Sequence, residues 1–309
     1  MRTESGGRRR GPHIALSHHP RRHAITIALV AAALLLVTSF PAEADTNFKV
    51  GTFNMAGGHK DHGASQDDRA PDALVRSIAQ RRPAAVFLQE ACDDWNRRLR
   101  EELPAYNIAF VKVLDGRGDI QPCQHPHSVF GLAVLYRADL GFEPPEDAQQ
   151  HDLGAAAGEE RRMMLCIRAP QRSLVACSAH LSNGPDAAAS RRAQASRIDQ
   201  ILATNYRGQT VLLGADVNDT PQSTVLDRLY HTGYGGTAAG RFKEVDSPCG
   251  NLIVESPLCR DGEETLDVEW AGDKKYDYLF VSPSVTVLGA DATDARHSDH
   301  DPLWADIVL

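Results

Sequence analysis

The stretch TVLLGADVN, residues 210–218, has the pattern of a buried β-strand that ends in polar side chains. The apolar run VLL is followed by Asp216 and Asn218, which stand two residues apart. Successive side chains of a strand alternate between its two faces, so these two point the same way if strand geometry continues. The stretch therefore predicts a strand that presents paired polar groups at its carboxyl end.

Four other short segments place metal-binding or proton-transfer side chains at the ends of apolar, strand-like runs. They are Thr52-Phe53-Asn54, Leu88-Gln89-Glu90, Ala179-His180-Leu181 and Ser298-Asp299-His300-Asp301-Pro302, with Tyr276-Asp277-Tyr278 before the last. Oxygen ligands of this kind suit a hard cation such as Mg²⁺, whereas zinc favours histidine and thiolate. The remaining Asp and His residues are groups that protonate a leaving oxygen and activate water. Together the segments predict a metal-dependent hydrolase of phosphate esters.

In order and in local sequence, the six segments resemble the endonuclease/exonuclease/phosphatase superfamily. This superfamily includes deoxyribonuclease I-like nucleases, abasic-site endonucleases, bacterial sphingomyelinases and inositol polyphosphate phosphatases. Single segments such as Gln-Glu or Ser-Asp-His occur by chance, so the resemblance depends on all six in the family's order. It covers nearly all of residues 48–309, and it implies an α/β fold, a four-layered α/β/β/α sandwich of two packed mixed β-sheets flanked by helices.

The resemblance assigns Asn54, Glu90 and Asp299 to the metal. Glu90 matches the family's principal carboxylate ligand, Asn54 supplies a neutral oxygen or orients that carboxylate, and Asp299 adds a carboxylate directly or through water. A lone Mg²⁺ keeps several waters, so few protein ligands suffice. The expected cofactor is Mg²⁺, with Mn²⁺ or Ca²⁺ as alternatives, and one-metal and two-metal mechanisms both stay open.

The catalytic positions implied by the resemblance are His180, Asp216, Asn218, Asp277 and His300. We expect His300 to transfer protons with Asp277 as its partner, because a carboxylate bound to one ring nitrogen fixes the tautomer. Asp216 orients or deprotonates the attacking water, or holds a second metal, and Asn218 contacts the phosphate. His180 binds the scissile phosphate or acts as a second acid, as in the deoxyribonuclease and sphingomyelinase branches. The abasic-site branch has a different residue there.

Residues 1–44 have the features of an export signal. A basic leader containing five arginines is followed by the uncharged run 24–38, and Ala42-Glu43-Ala44 has the small-x-small pattern of a cleavage site. A spanning helix needs about 20 apolar residues, so the run is short for an anchor. We expect a secreted protein without a stable membrane anchor, whose catalytic domain spans 45–309. Arg21-Arg22 leaves the general secretory and twin-arginine routes both open.

The exported part is acidic. Removal of residues 1–44 takes away six arginines and two glutamates, which changes the formal charge from −8 to −12. A protein this acidic has no general attraction for polyanions, so nucleic acid binding would depend on a local basic patch and on the metal. The same balance argues against a polyphosphoinositide phosphatase, which needs a basic pocket.

The favoured function is therefore an extracellular, metal-dependent phosphodiesterase that acts as a monomer on DNA or RNA. The alternative is phospholipid cleavage of the sphingomyelinase type, which needs an apolar hairpin for membrane docking. No run of aromatic residues supplies such a hairpin, since aromatic residues make up 6% of the chain. A catalytically silent binding protein is a third alternative, against which the intact set of acid, base and ligand positions argues.

The cysteines predict three disulfides, because all six lie in the exported part. The segments 163–168 and 174–180 look like the strands of a hairpin, and the hairpin's register places Cys166 opposite Cys177. Pro170 lacks an N–H, which favours a four-residue loop and puts the two cysteines at a closely spaced, non-hydrogen-bonded pair. A short loop would join Cys249 and Cys259, which leaves Cys92 with Cys123.

About 265 exported residues without a linker or a repeat predict one α/β domain. Apolar, β-branched runs predict strands at 48–53, 85–88, 108–113, 131–136, 163–167, 173–179, 210–213, 278–281 and 303–308. Amphipathic spacing predicts helices at 71–80, 93–103 and 185–205. Two irregular regions remain: 143–160, predicted as a surface loop, and 232–265, predicted to form the rim of the active-site cleft.

Overall fold

The computed structural model describes residues 47–58, 69–124, 128–155, 158–267, 272–294 and 297–309. The predicted export signal lies outside these residues. The helices are α1 (Arg69–Arg81), α2 (Asp93–Glu102) and α3 (Ala188–Asn205). The strands are β1 (Asn47–Asn54), β2 (Ala85–Cys92), β3 (Tyr106–Lys112), β4 (Phe130–Arg137), β5 (Gln149–Gly154), β6 (Arg162–Ala169), β7 (Leu174–His180), β8 (Thr210–Asp216), β9 (Lys243–Glu244), β10 (Asp277–Val281), β11 (Thr286–Ala292) and β12 (Leu303–Val308).

The strands form two mixed sheets of six strands each. The first sheet has the order β11-β12-β1-β2-β4-β3, and the second has the order β5-β6-β7-β8-β10-β9. Each sheet contains one parallel pair at its centre, β1 with β2 and β7 with β8, while its other neighbours are antiparallel. Parallel neighbours need a crossover connection, and α1 and α3 lie in the two crossovers. The two sheets therefore share one pairing pattern.

Three apolar clusters hold the four layers together. The cluster between the sheets contains Phe87, Leu165 and Leu212. On the outer face of the first sheet, Leu74 and Ile78 of α1 and Trp95 and Leu99 of α2 pack on strand side chains. The outer face of the second sheet packs against Ala195, Ile198, Ile201 and Leu202 of α3. This is the α/β/β/α sandwich that the family resemblance implied.

The sheets approach each other closely just below the ends of their central strands. A Cβ added to Gly214 would lie 2.4 Å from the ring of Phe87, which belongs to the opposite sheet. Only a residue without a side chain leaves room for that ring. Gly214 on β8 thus allows the two sheets to approach closely two residues before Asp216.

The sequence patterns missed three edge strands: β5, β11 and the two-residue β9, which lies in the region 232–265 predicted as irregular. The prediction of a surface loop over 143–160 is wrong for β5, whose QQHDLG sequence buries only Leu153 fully. β11 was not predicted either, and most of its residues are exposed or half-exposed. β5 and β11 each pair on one side only. Neither therefore carries the continuous apolar run that marks a central strand.

All three predicted disulfides are present: Cys92–Cys123, Cys166–Cys177 and Cys249–Cys259. The hairpin register is confirmed as well, because Cys166 pairs directly with Cys177 and Ala169 with Leu174, which leaves a four-residue loop. The Cα atoms of Cys166 and Cys177 lie 4.1 Å apart, near the roughly 4.5 Å of a non-hydrogen-bonded pair. Among the described residues, no helix is long and apolar enough to cross a membrane.

Candidate active site

The polar ends of the central strands meet at one edge of the sandwich. Asp216 at the end of β8 is in register with His180 at the end of β7 and with Asp277 at the start of β10. From the first sheet, β1 ends at Asn54, and His300 lies just before β12. Residues separated by up to about 250 positions in the sequence are therefore brought into one site.

Asp216 lies at the centre of this site and is almost fully buried. Its Oδ2 accepts a hydrogen bond from Asn54 Nδ2 at 2.9 Å and lies 3.3 Å from His180 Nε2 and 3.9 Å from His300 Nε2. Burial opposes ionisation, but His180, His300 and the Asn54 hydrogen bond more than offset it and hold the pKa of Asp216 below its ordinary value. Asp216 is therefore a carboxylate at neutral pH.

His300 and Asp277 form a buried pair beside Asp216. His300 Nδ1 lies 2.6 Å from Asp277 Oδ2, and the backbone N–H of Asp277 donates to Thr265 Oγ1 at 2.9 Å. Burial raises the pKa of Asp277, although His300 opposes the rise. Burial alone would lower the pKa of His300, yet Asp277, Asp216 and Asp299 raise it to about 10. At neutral pH the pair therefore shares one titratable proton, and the two neighbouring carboxylates favour its place on His300, as an imidazolium.

His180 and Asn218 form a second pair. Asn218 Nδ2 lies 3.1 Å from His180 Nε2 and donates to the carbonyl of Leu181 at 3.1 Å. The Asn218 N–H donates to Asp216 Oδ1 at 2.8 Å. His180 Nε2 thus lies between an amide donor and the Asp216 carboxylate: it donates to Asp216 if it carries a hydrogen and accepts from Asn218 if it does not.

Glu90 is set by an unusual backbone conformation. Its φ is +51°, in the left-handed region that non-glycine residues rarely adopt. The β2–β4 register also shifts between Leu88 and Ala91, which marks a bulge. Glu90 Oε2 accepts a hydrogen bond from the Gly58 N–H at 2.9 Å. The bulge and the left-handed conformation re-aim the Glu90 side chain relative to a regular strand, as bulges next to active sites do.

Three of the five non-glycine residues with positive φ in the described part of the chain lie at this edge. They are Ala56, Glu90 and Asn218. The Ala56 N–H donates to Asn54 Oδ1 at 3.0 Å, so this strained turn also fixes the Asn54 amide. Backbone strain of this kind persists where the surrounding structure over-determines it, and it clusters at functional sites.

The predicted site residues divide between the two sheets. Asn54 and Glu90 belong to the first sheet, and Asp299 lies in the segment that leads into β12 of that sheet. His180, Asp216 and Asp277 belong to the second sheet. Hydrogen bonds and short polar contacts connect six of them into one cluster: Asn54, His180, Asp216, Asn218, Asp277 and His300. Glu90 reaches it through the turn after β1, and Asp299 through its chain neighbour His300 and its effect on the His300 pKa.

Ser298 and Thr265 also shape the site, although the sequence patterns assign no role to either residue. Ser298 Oγ donates to the Asn54 carbonyl at 2.8 Å and accepts from the His300 N–H at 3.0 Å, which ties the His300 segment to β1. Thr265 Oγ1 accepts from the N–H groups of Tyr276 and Asp277. Ser298 lies inside a predicted segment, but nothing in the sequence marks Thr265, which comes from the distant region 232–265.

Asp219, one residue after Asn218, binds a buried arginine. Its Oδ2 accepts from Arg191 Nε at 2.9 Å, and Arg191 also donates to the carbonyls of Ser182 and Gly184. This buried cation therefore fixes the loop after His180 and is not available to the substrate.

The donor set fits a hard divalent cation. Asp216, Asp277 and His300 place ligand atoms within 4.8 Å of one another. However, the 2.6 Å between His300 Nδ1 and Asp277 Oδ2 is a hydrogen-bond distance, too short to hold an ion between these two atoms. The Glu90 carboxylate accepts one hydrogen bond from the Gly58 N–H, and a carboxylate has more acceptor sites than this, so Glu90 keeps the capacity to bind a metal. The metal roles of Asn54, Glu90 and Asp299 stay predictions.

The sequence profile of the endonuclease/exonuclease/phosphatase family matches residues 51–300. Solved structures share the fold at low identity. A family member from Bacteroides vulgatus has a TM-score of 0.62 at 19% identity, over 85% of this chain and 99% of that one. D. rerio TDP2 complexed with single-strand DNA product has a TM-score of 0.62 at 15% identity, over 85% and 99%. The mannosyl-6-phosphatase Bt3783 of Bacteroides thetaiotaomicron has a TM-score of 0.59 at 14% identity, over 85% and 100%. None of the curated protein sequences matches the chain.

Proposed function

The chain belongs to the endonuclease/exonuclease/phosphatase family, and on that basis we propose that it is a secreted, Mg²⁺-dependent phosphodiesterase that cleaves nucleic acid. Members of this family are hydrolases of phosphoester bonds. The proposal is more specific in three respects: nucleic acid as the substrate, Mg²⁺ as the metal and secretion of the protein.

Two polar contacts between the sheets give the main support for this function. The Asn54–Asp216 hydrogen bond of 2.9 Å and the His300–Asp277 contact of 2.6 Å both join the first sheet to the second. They bring the predicted oxygen ligands and His300, from the first sheet and the segment before β12, to Asp216, Asp277 and His180 of the second sheet. Hydrolysis of a phosphodiester needs these groups together: an activated water, stabilisation of charge on the phosphoryl oxygens, and a proton for the leaving oxygen.

Each side chain has a defined task in this proposal. Asp216 is ionised and orients the attacking water. His300, an imidazolium held by Asp277, stabilises negative charge on the phosphoryl group or protonates the leaving oxygen. His180 and Asn218 bind the phosphoryl oxygens from the second sheet. Asn54, Glu90 and Asp299 would hold Mg²⁺, which supplies Lewis-acid polarisation of a phosphoryl oxygen when it is bound.

Nucleic acid is the favoured substrate because a relative with this fold is described with a single-strand DNA product. The formal charge of −12 for residues 45–309 disfavours long-range attraction of a polyanion. We therefore expect nucleic acid binding to depend on the metal. We also expect the protein to act as a monomer.

A specific feature favours a second candidate, phospholipid cleavage. The loop closed by the Cys249–Cys259 disulfide exposes three aliphatic side chains, Leu252, Val254 and Leu258, of which Leu252 and Leu258 are more than 60% exposed. The loop contacts the segment that follows Asn218, because Gln222 Nε2, four residues after Asn218, donates to the Pro257 carbonyl at 2.8 Å. Exposed apolar groups on a rigid loop are suited to contact a lipid surface.

A substrate panel separates the candidates. The protein lacking residues 1–44 is incubated with plasmid DNA, RNA, sphingomyelin vesicles, bis(p-nitrophenyl) phosphate and mannose 6-phosphate, with Mg²⁺ or with EDTA, and His300→Ala is the matched control. Mg²⁺-dependent cleavage of DNA or RNA supports the proposal. Cleavage of sphingomyelin alone supports the second candidate, and cleavage of mannose 6-phosphate alone refutes both. No hydrolysis of any substrate by the Mg²⁺-loaded protein also refutes both.

Secretion is proposed from the leader sequence, and the three disulfides support an oxidising compartment. Expression of the full chain in a bacterial host with an export pathway, followed by amino-terminal sequencing of the protein in the medium, tests it. We expect the secreted form to begin at Asp45. Protein that stays in the cell with residues 1–44 attached would show that the leader is not an export signal.

A further inference from the structure

A buried polar network crosses between the two sheets directly below the site. Gln89 Nε2 of β2 lies 3.0 Å from Ser178 Oγ of β7 and 3.3 Å from Thr52 Oγ1 of β1. All three side chains are fully buried. We call these three residues the inter-sheet network. They are uncharged, and the proposed chemistry does not use them.

The network lies one step below the reacting groups. Thr52 precedes Asn54 by two residues and Ser178 precedes His180 by two, so each is the previous side chain on the same face of its strand. Gln89 immediately precedes Glu90, whose left-handed backbone begins the bulge of β2. One amide therefore connects the strand ends that carry the predicted metal ligands to the strand end that carries His180.

From this placement we propose that Gln89 is a positioning residue, whose hydrogen bonds to Ser178 and Thr52 set the spacing between the predicted metal-binding half of the site and the phosphoryl-binding half. The inference rests on the proposed phosphodiesterase function and adds a residue to it. Gln89 itself lies beneath the reacting groups and does not touch the substrate.

The physical need for such a network follows from the composition of the sandwich. Below this level the sheets meet through apolar side chains such as Phe87, Leu165 and Leu212, and apolar contact has no preferred direction. Hydrogen bonds have a preferred length and angle, and they are stronger where water is excluded. Because His180 and Asp216 lie on one sheet and Asn54 and Glu90 on the other, a small shift of the sheets would misplace them. A misplacement of about 1 Å can cost on the order of 100-fold in rate.

Gln89→Met tests the proposal with little risk to folding. Methionine fills a similar volume and lacks the amide group, so it makes neither the hydrogen bond to Ser178 nor the one to Thr52. Neither hydroxyl is left without an acceptor, because Ser178 Oγ still donates to the Leu88 carbonyl at 3.0 Å and Thr52 Oγ1 to the Phe87 carbonyl at 3.3 Å. The cost of an unsatisfied buried donor is thereby avoided.

We expect Gln89→Met to lower kcat by about tenfold or more, with KM for bis(p-nitrophenyl) phosphate within about twofold of wild type. The Mg²⁺ concentration for half-maximal activity should not change, because the predicted metal positions all lie on the first sheet. The matched control is Val134→Ala, which truncates a buried side chain of the same inter-sheet core and leaves the network intact. Its melting temperature should fall while its kcat stays near wild type.

Ser178→Ala is the second variant, and it decides the question if Gln89→Met does not fold. It removes both hydrogen bonds from Ser178 to β2, those with Gln89 and with the Leu88 carbonyl, and keeps the Gln89–Thr52 contact within the first sheet. It should therefore lower kcat at least as much as Gln89→Met. The double variant should be little worse than Ser178→Ala, because Ser178→Ala already removes the Gln89 link to the second sheet. Normal kcat in both single variants of an active enzyme would overturn the inference, as would an equal loss in Val134→Ala or a loss that high Mg²⁺ restores. An inactive wild type would instead refute the proposed function.

Discussion

His300 Nδ1 lies 2.6 Å from Asp277 Oδ2, although His300 belongs to the segment before β12 of the first sheet and Asp277 begins β10 of the second. The pair therefore joins the two sheets at the site and orients the imidazole towards Asp216, whose Oδ2 lies 3.9 Å from His300 Nε2. A carboxylate at this distance fixes the tautomer and stabilises the imidazolium.

The first prediction concerns this pair. His300→Ala should lower kcat by about 100-fold or more, the usual scale for loss of a general acid or base. Asp277→Asn should lower kcat too, because the imidazole loses its orienting carboxylate. Since the two residues act as a unit, the double variant should be little worse than the worse single variant. Kinetics of the three variants with a phosphodiester substrate check this, and losses that multiply in the double variant would contradict the pairing.

The second prediction concerns the metal. EDTA should abolish hydrolysis, Mg²⁺ or Mn²⁺ should restore it, and zinc alone should not, because the predicted ligands are oxygens. Glu90→Gln should raise the Mg²⁺ concentration needed for half-maximal activity, whereas Glu101→Gln on the exposed face of α2 should not. Magnesium titrations of both variants measure this. Full activity after complete metal removal would refute the ligand assignment of Glu90.

The third prediction concerns the hairpin disulfide. Replacing Cys166 and Cys177 together by alanine should lower the free energy of unfolding by about 2–4 kcal/mol, because the bridge restricts the unfolded chain. The bridge also lies in the core between the second sheet and α3. Denaturant unfolding of wild type and variant provides the comparison, and peptide mapping of the unreduced protein should recover Cys166 joined to Cys177. Equal stability of the two proteins would contradict this role.

The fourth prediction concerns pH and stability. Burial raises the pKa of Glu244 from the ordinary 4.5 to about 7, in spite of the Lys275 ammonium 3.4 Å away, and Asp246 adds to the rise. Below pH 4.5 Glu244 is protonated in the folded and the unfolded chain, so it adds no penalty. As pH rises from 4.5 to 7 the unfolded chain ionises first, and the folded state loses stability relative to it.

Glu244→Gln should remove this part of the pH dependence, since glutamine does not titrate. When the pH is raised from about 5 to about 8, the change in melting temperature should therefore be more favourable in Glu244→Gln than in wild type. Glu101→Gln serves as the exposed control and should keep the wild-type dependence. An unchanged dependence in Glu244→Gln would mean that Glu244 is ionised across the whole range.

Much of the central fold could be predicted because its strands are buried on both faces. The apolar runs that begin at Thr210 and Leu303 appear at the predicted starting positions, and the hairpin register that pairs Cys166 with Cys177 is confirmed. The edge strands β5 and β11 could not be predicted, because most of their side chains are partly solvated and their sequences look like loops. The same limitation explains why 143–160 was predicted as a loop. The edge strand β9 was missed because it is only two residues long.

The site was predicted in part. His180, Asp216, Asn218, Asp277 and His300 have marked side chains at strand ends, and contacts bring them together as expected. Thr265 and Ser178 have neutral side chains of a kind found throughout the chain, so only their contacts reveal a role. The left-handed conformation of Glu90 is equally invisible in the sequence, because it depends on the bulge between β2 and β4.

The sequence alone predicted the family, the α/β class and the candidate groups for the chemistry, because strand periodicity and side-chain chemistry are local properties. Tertiary structure alone decided that the predicted metal ligands and the proposed phosphoryl-binding residues lie on opposite sheets, and that Gln89, Ser178 and Thr52 connect the sheets beneath them. The physical reason is that such contacts depend on how two separately hydrogen-bonded sheets pack, and packing is a relationship between residues far apart in the chain.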